Sequence, residues 1–451
     1  MDLSEDNASR LRFEAYIDEL VGVIGHADRA VPLHDYCTGL LLPGERKSVE
    51  PMAALTAPPS FACSVARTAP KHQSLLHFVA NAPWSDDAVL TKVRQMVLPK
   101  IEALGPIEAS IIDDTGFPKK GKHSVGVARQ YCGQLGKQDN CQAVVSLSIA
   151  NHHASLPIAH QLYLPEAWAD DPDRRKQAKI PEDIVFKTKP QIALDQLKTA
   201  QAAGIPLGTV LADSGYGYDS QFRDGVTKLG LLYAVGIQSN VLMWKADAIL
   251  PVQGTDGQKP SRPQLRALQI SAKELALSHP AEAWQTVTWR EDGEAFTSRF
   301  ARWRVRPVTR AEQPAEEWLV IEWPADEAEP TKYWLSTLPA DIGFAALVDR
   351  IKLRWRIERD YQELKQELGL GHYEGRGWRG LHHHITLCIA AYGFLIAERA
   401  IFPPSGPRRQ SQSAAPVVSN GYRSEGATTA PRAAYIKLHR YAPAPAYCRV
   451  G

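Results

Sequence analysis

EASIIDDTGFPKKGKHSVGVARQYCG, residues 108–133, marks a change in the pattern of the chain. Upstream of it the sequence reads as helical pieces, Ser9 to Ile24 and Ser85 to Leu104, joined by a Pro- and Ala-rich link around Thr56 to Pro70. From Ile107 the runs become short and β-rich, bounded by Gly, Asn and Pro: EASIIDD, SVGVARQYCG, CQAVVSLSIAN and PIAHQLYLP. A helical segment, PQIALDQLKTAQAAG, then leads into LGTVLAD, a second helical segment over Ser220 to Lys228, and the strand-like LLYAVGIQ. Several strands followed by alternating helix and strand predict an α/β core with a mixed sheet.

The rhythm breaks between residues 245 and about 338, where alternating Trp-rich runs such as WQTVTWR, SRFARWRVRPV, EWLVIEWP and KYWLSTL predict a β-rich insertion. Seven of the eleven tryptophans lie between Trp244 and Trp334, either as an aromatic core or as rings that stack on unpaired bases. The expected organisation is a helical module over 1–104, a first core segment over 105–244, the insertion over 245–338 and a second core segment over 339–402. A tail over 403–451, without periodicity and rich in Pro, Ser, Ala and Arg, is expected to be disordered.

With 451 residues, 44% hydrophobic and 23% charged, the chain has the make-up of a globular protein with two or three cores. The acidic start, MDLSEDNASR, and the lack of a run of about 18 apolar residues argue for the cytoplasm and against a membrane partner. Six scattered cysteines without a CxxC pair favour neither a disulfide framework nor a zinc ribbon. The net charge of +2 is unevenly spread: residues 1–36 carry eight acids against three basic residues, 350–379 eight basic against five acids, and 403–451 seven basic against one acid. A polyanion would meet the later parts.

Acids at three places stand out. Asp113 and Asp114 follow Ile111-Ile112, and Asp213 follows Val210-Leu211-Ala212. Acids at strand ends can converge at one sheet edge, where α/β folds place ligands. Glu358 falls in a helix-like stretch, Leu347 to Leu368, in one narrow sector with Phe344, Leu347, Ile351, Arg354 and Lys365, while Glu363 and Glu367 point away. An inward carboxylate must be paired or hold a metal, and hard oxygen ligands suit Mg²⁺ or Mn²⁺. Two such ions would support in-line phosphoryl transfer. Each acid alone reads as a turn, cap or ion-pair residue; together they read as a site.

These stretches, with LYLPEAWADDPDRR, VLADSGYG and RWRIERDYQELKQELGLGHYEGRGW, resemble the Asp-Asp-Glu transposases of bacterial insertion sequences, over roughly Cys37 to Ala400. The subgroup is the cut-and-paste one, whose ribonuclease-H-like core is interrupted by a β-rich insertion before the glutamate. The resemblance implies catalytic and metal-binding roles for Asp113, with Asp114 as the alternate, Asp213 and Glu358, which would hold two Mg²⁺ ions. It implies DNA contacts for Arg354 and Lys365, from a Tyr-Arg-Glu-Lys signature whose Tyr position here holds Ile351; Tyr361 is a candidate substitute. It also implies a hairpin intermediate with an aromatic ring, Trp303 between Arg302 and Arg304 being one choice, in the place of a flipped base. The expected partners are the element's double-stranded terminal repeats and target DNA, bound by a homodimer in the bacterial nucleoid.

Lys119, Lys120 and Lys122 suit a phosphate-contacting loop, as do Arg376 and Arg379 in a Gly-rich turn. Gly116 to Lys122, GFPKKGK, nearly matches a phosphate-binding loop, so an ATPase is an alternative, although His123 replaces the required hydroxyl and a strand-like run follows it. A transposase-derived DNA-binding protein that no longer cleaves is another. His382, His383 and His384 point in different directions from one helix start, with one of them facing DNA or the core.

Overall fold

The computed structural model describes residues 3–57, 65–250, 262–308 and 314–402. The tail over 403–451 lies outside them. The described residues divide into two compact units, one drawn from the stretches before 105 and from 362–402, the other from 105–361.

The larger unit is built on one twelve-stranded mixed sheet. Its strands are Ala109–Pro118 (β1), Ala128–Cys132 (β2), Lys137–Ala150 (β3), Ser155–Leu162 (β4), Thr209–Ala212 (β5), Tyr233–Ile237 (β6), Leu242–Lys245 (β7), Ile270–Ser271 (β8), Gln285–Glu291 (β9), Glu294–Pro307 (β10), Glu317–Glu322 (β11) and Lys332–Ser336 (β12). The order is β2-β3-β1-β5-β6-β12-β11-β10-β7-β8, with β4 on β3 and β9 on β10. Only β1/β5 and β5/β6 are parallel, because each of those connections carries a helix across the sheet, Lys189–Ala202 before β5 and Ser220–Lys228 before β6. The Trp-rich strands form no separate sheet. They continue the same one, through β12 on β6.

Apolar side chains of this sheet and of the helix Phe344–Lys352 share one core, including Ile111, Leu211, Trp289, Trp318, Leu347 and Ile351, joined by Ile357 of the helix Trp355–Gln366. The helix is clamped to the start of β1 by Arg350, whose guanidinium lies 2.8 Å from the Glu108 carboxylate and donates to the Glu108 carbonyl.

The stretch from Leu347 to Leu368 is not one helix. It breaks after Lys352, with Leu353 and Arg354 in a joint, and resumes as Trp355–Gln366. A helical wheel drawn through the joint therefore loses its phase. In the second helix Ile357, Asp360 and Glu363 are buried and Glu358 is exposed, the reverse of the sequence expectation for Glu358 and Glu363. Polar partners explain the buried acids: Ser155 Oγ donates to Asp360 at 2.5 Å, and Arg399 lies 2.7 Å from Glu363.

The smaller unit is helical, with Leu3–Val21, Ala30–Leu41, Val49–Thr56, Val65–Ala80, Asp86–Glu102 and Trp378–Ile401. The first helix starts before Ser9, and Pro70 lies inside a helix rather than a linker. Trp378–Ile401 is long and apolar enough by composition to cross a membrane, but 83% of its most apolar window is buried inside the protein. It is the unit's core helix. Its three histidines all face protein: His382 stacks on Trp378 at 4.2 Å, His383 stacks on Trp84 at 3.5 Å, and His384 bonds the Tyr36 hydroxyl at 2.9 Å and the Gly369 carbonyl at 3.0 Å. Burial lowers the pKa of His383 to about 4, so it is neutral at physiological pH.

Gly380 has a packing reason beyond the turn. A Cβ there would lie 1.8 Å from the Tyr373 hydroxyl, and Tyr373 is itself buried and stacked on His384. Gly380→Ala is expected to lower stability by about 1–3 kcal/mol through overpacking, and the additional change Tyr373→Leu is expected to recover part of it in urea melts. A Gly380→Ala melt superimposable on wild type contradicts this packing.

Candidate metal and nucleic-acid site

The sheet itself brings Asp113 and Asp213 together. Parallel pairing sets Ala109, Ser110 and Ile111 beside Thr209, Val210 and Leu211. Two residues further on, the same register brings Asp113 level with Asp213, on strands spaced about 4.8 Å apart. β5 ends at Ala212 whereas β1 runs on to Pro118. Asp113 and Asp114 thus lie in mid-strand rather than at the strand end expected from sequence, and the edge arises because the neighbouring strand stops. Asp213 caps the short turn Ser214–Gly217, accepting from the Gly215 and Tyr216 amides at 2.9 and 3.4 Å. That turn lies flat on β6, since a Cβ on Gly217 would stand 1.9 Å from the Gly236 carbonyl oxygen.

Arg354, in the joint between the two helices, bridges the remaining acids. Its guanidinium is 3.3 Å from Asp113 Oδ1 and 3.1 Å from Glu358 Oε1. Burial works against its charge, but Asp113, Asp213 and Glu358 together outweigh it, and its pKa is raised. Asp113 is pushed up to about 7, chiefly by burial, with Asp213 and Asp114 adding to the rise and Arg354 opposing it. One guanidinium under-compensates this group of carboxylates. A deficit of positive charge between acids from two strands and a helix is what a divalent cation would meet. Among the described residues no three Asp, Glu, His or Cys side chains stand at metal-ligating spacing. The Glu358 side chain is 70% exposed and pairs with Arg354.

Asp114 has other partners. Strand alternation turns it from Asp113, and it lies 2.6 Å from Lys189 Nζ and accepts from the Tyr216 hydroxyl at 3.4 Å. Asp113 is therefore the better fit to the Arg354 cluster.

One support, Ser146, escaped the sequence reading. Ser146 pairs across the ladder with Asp113, and its hydroxyl lies 2.7 Å from the Tyr361 hydroxyl. Tyr361 is half-buried, and desolvation, reinforced by the Asp113 carboxylate, raises its pKa. Serines interrupting the apolar run AVVSLSIAN were the available signal. Ile351, at the expected Tyr position, is in the core.

Beyond the β1 end, Lys120 and Lys122 are exposed and Lys119 is half-buried, in a loop clasped by Asn140, whose amide donates to the Lys119 and Gly121 carbonyls at 2.5 and 2.9 Å. The loop opens into strand β2, not a helix, so the helix N-terminus that a nucleotide phosphate needs is missing and the ATPase reading fails. Lys365 lies in the last turn of Trp355–Gln366, and Arg376 and Arg379 are exposed near the start of Trp378–Ile401; all three belong to the helical unit. Arg379 donates to the Asn81 carbonyl at 3.1 Å.

Trp303 is half-buried, stacked on His279 at 4.5 Å and edge-on to Trp284 at 5.8 Å, with Trp284 against Trp323 at 5.1 Å. Arg302 and Arg304 do not flank it: both lie over Trp318, at 4.3 and 4.8 Å, because strand neighbours face opposite sides.

Residues 19–295 match the family model described as DDE superfamily endonuclease. The match contains Asp113 and Asp213 and ends before Glu358. Over 169 residues the chain is 32% identical to a protein from Microchaete diplosiphon described as "Probable transposase for insertion sequence element IS701". That alignment covers 37% of this chain and 41% of the relative, so the chain spans about two fifths of the relative's length. With the family match extending over more than half of its residues, and with two acids of the site inside it, the chain belongs to the DDE superfamily endonucleases.

Proposed function

We propose that this protein is a metal-dependent DNA transposase that cuts the ends of an insertion sequence and joins them to target DNA. The observation that carries the reading is Arg354 bridging Asp113 and Glu358 in the field of Asp213. The family match and the likeness to an insertion-sequence transposase support it. The β4-β3-β1-β5-β6 part of the mixed sheet supports a ribonuclease-H-like core, with the Trp-rich strands as the insertion and residues 1–104 as an end-recognition module.

Asp113, Asp213 and Glu358 would hold two Mg²⁺ ions, with Mn²⁺ an acceptable substitute. Such ions, when bound, activate a water or a 3′-hydroxyl and stabilise the leaving oxygen. The chain's own groups do the rest. Asp113 must give up the proton that burial favours, and Arg354, next to it, promotes that loss. Lys119, Lys120 and Lys122 in the sheet unit contact backbone phosphates, and so, separately, do Lys365, Arg376 and Arg379 in the helical unit. The cluster of Trp284, Trp303 and Trp323 suits stacking against an unpaired base, as a hairpin route would need. Because two ends are cut in concert, a homodimer on DNA is expected.

The test is cleavage of a labelled duplex carrying the element's own end, with Mg²⁺, by the natural chain and by Lys120→Ala/Lys122→Ala. The double variant is expected to bind all duplexes more weakly, with the slope of log affinity against log salt reduced by about 2. ATP hydrolysis without cleavage, or DNA binding without cleavage at any divalent metal concentration, overturns the reading.

A further inference from the structure

Lys352 is the last residue of the helix Phe344–Lys352 and its side chain is only 9% exposed. Its ammonium lies 2.7 Å from Glu322 Oε2, and that carboxylate is 7% exposed. Around it stand three aromatic rings, Trp289 at 4.2 Å, Phe300 at 5.3 Å and Trp334 at 5.5 Å. The four partners come from four adjacent strands, β9, β10, β11 and β12. A cation desolvated among ring faces and one carboxylate gains from both.

A buried ion pair contributes little more to stability than an apolar pair of similar volume, because desolvation cancels most of the attraction. What it adds is direction. Ring faces and a carboxylate accept an ammonium only at one depth and from one side, whereas a Leu or Met could slide. Two residues later stands Arg354, in the joint between the helices, and two residues of chain span at most about 7 Å. On the other side the second helix is fixed by Arg356 donating to the His152 carbonyl and by Asp360 accepting from Ser155.

We propose that Lys352, gripped by Glu322 and the Trp289, Phe300 and Trp334 rings, is a positioning residue that sets where Arg354 and Glu358 stand. This rests on the nuclease reading above and assigns the Trp-rich strands a further task, holding the helix joint that carries two residues of the site.

The test compares full-length wild type with Lys352→Met, Lys352→Arg and the double change Lys352→Met/Glu322→Leu. Amide hydrogen exchange is followed over 353–361 and over β5 and β6, alongside cleavage rate at saturating Mg²⁺. Lys352→Met is expected to speed exchange over 353–358 by roughly tenfold or more with β5 and β6 unchanged, and to slow cleavage roughly 10- to 100-fold with DNA affinity kept. Lys352→Arg is expected to recover most of the rate. The double change removes the stranded carboxylate, so it folds where Lys352→Met alone fails, and it is expected to keep the fast local exchange. Unchanged exchange over 353–358 in a folded variant overturns the proposal. So does faster exchange spread evenly through the sheet, which marks a purely structural lysine. A wild type that never cuts DNA refutes the nuclease reading, while the exchange data still decide whether Lys352 holds the joint.

Discussion

Replacing Glu358 by Gln is expected to reduce DNA cleavage by on the order of 10³-fold, about 4 kcal/mol of transition-state stabilisation, while leaving DNA binding and the melting temperature close to wild type. The exposure of the side chain is the reason for that split. At 70% exposed, with Arg354 as its ion-pair partner, Glu358 contributes little to folding, for exposed pairs are worth about 0–1 kcal/mol. A group with so small a structural role and so large an effect on rate would act in the reaction. Asp113→Asn is expected to match it in rate but not in stability: it replaces a buried carboxylate with a neutral amide and is expected to leave stability unchanged or higher at pH 8. Parallel melts and cleavage assays decide; a Glu358→Gln protein that cuts within a few-fold of wild type removes the glutamate from the mechanism.

The second large effect is expected at Arg354. Arg354 opposes the rise in the Asp113 pKa, so Arg354→Gln is expected to push that pKa above its present value of about 7 and to move the rising limb of the pH–rate profile to higher pH. A loss on the order of 10²-fold at pH 7 is expected from the missing charge, and part of it is recovered at pH 8.5. The sign of the stability effect follows from linkage. A carboxyl whose folded pKa lies above its unfolded value near 4 holds its proton longer in the folded state. Its contribution to stability is therefore complete below about pH 4 and is lost as pH rises towards 7. Metal ligation needs the ionised form, so the rise in melting temperature produced by Mg²⁺ is expected to be larger at pH 8 than at pH 6. In Arg354→Gln that window shifts upward. An Arg354→Gln profile with unchanged pH dependence and only a scaled rate contradicts the coupling to Asp113.

The residues that could be read from sequence were those whose role is set by local pattern. β-rich runs ending in acids, followed by helix–strand alternation, were enough to anticipate a mixed α/β sheet, and acids placed after Ile112 and Ala212 could be suspected of meeting because strand ends cluster at an edge. Glu358 was found by its spacing from Arg354, but its orientation was misjudged. The helical break at Leu353 and Arg354 has no Gly or Pro to announce it; it follows from tertiary anchors, Lys352 in its aromatic cage before the joint and Asp360 on Ser155 after it. The three histidines were equally opaque. Periodicity could show that they diverge, but only the packed helices reveal that each direction ends on a ring or a carbonyl. Arg302 and Arg304 misled for the opposite reason: adjacency in sequence suggested a basic frame for Trp303, and strand alternation sends them to the other face.

The most direct test of the central claim, that Asp113, Asp213 and Glu358 together hold divalent cations, is a Mn²⁺ titration of the full-length protein at pH 8, read by calorimetry, against the variants Asp113→Asn, Asp213→Asn and Glu358→Gln. Saturable binding by the natural chain is expected, with at least tenfold weaker binding by each variant and Asp114→Asn close to wild type. Equal Mn²⁺ affinity across all five proteins would contradict that claim.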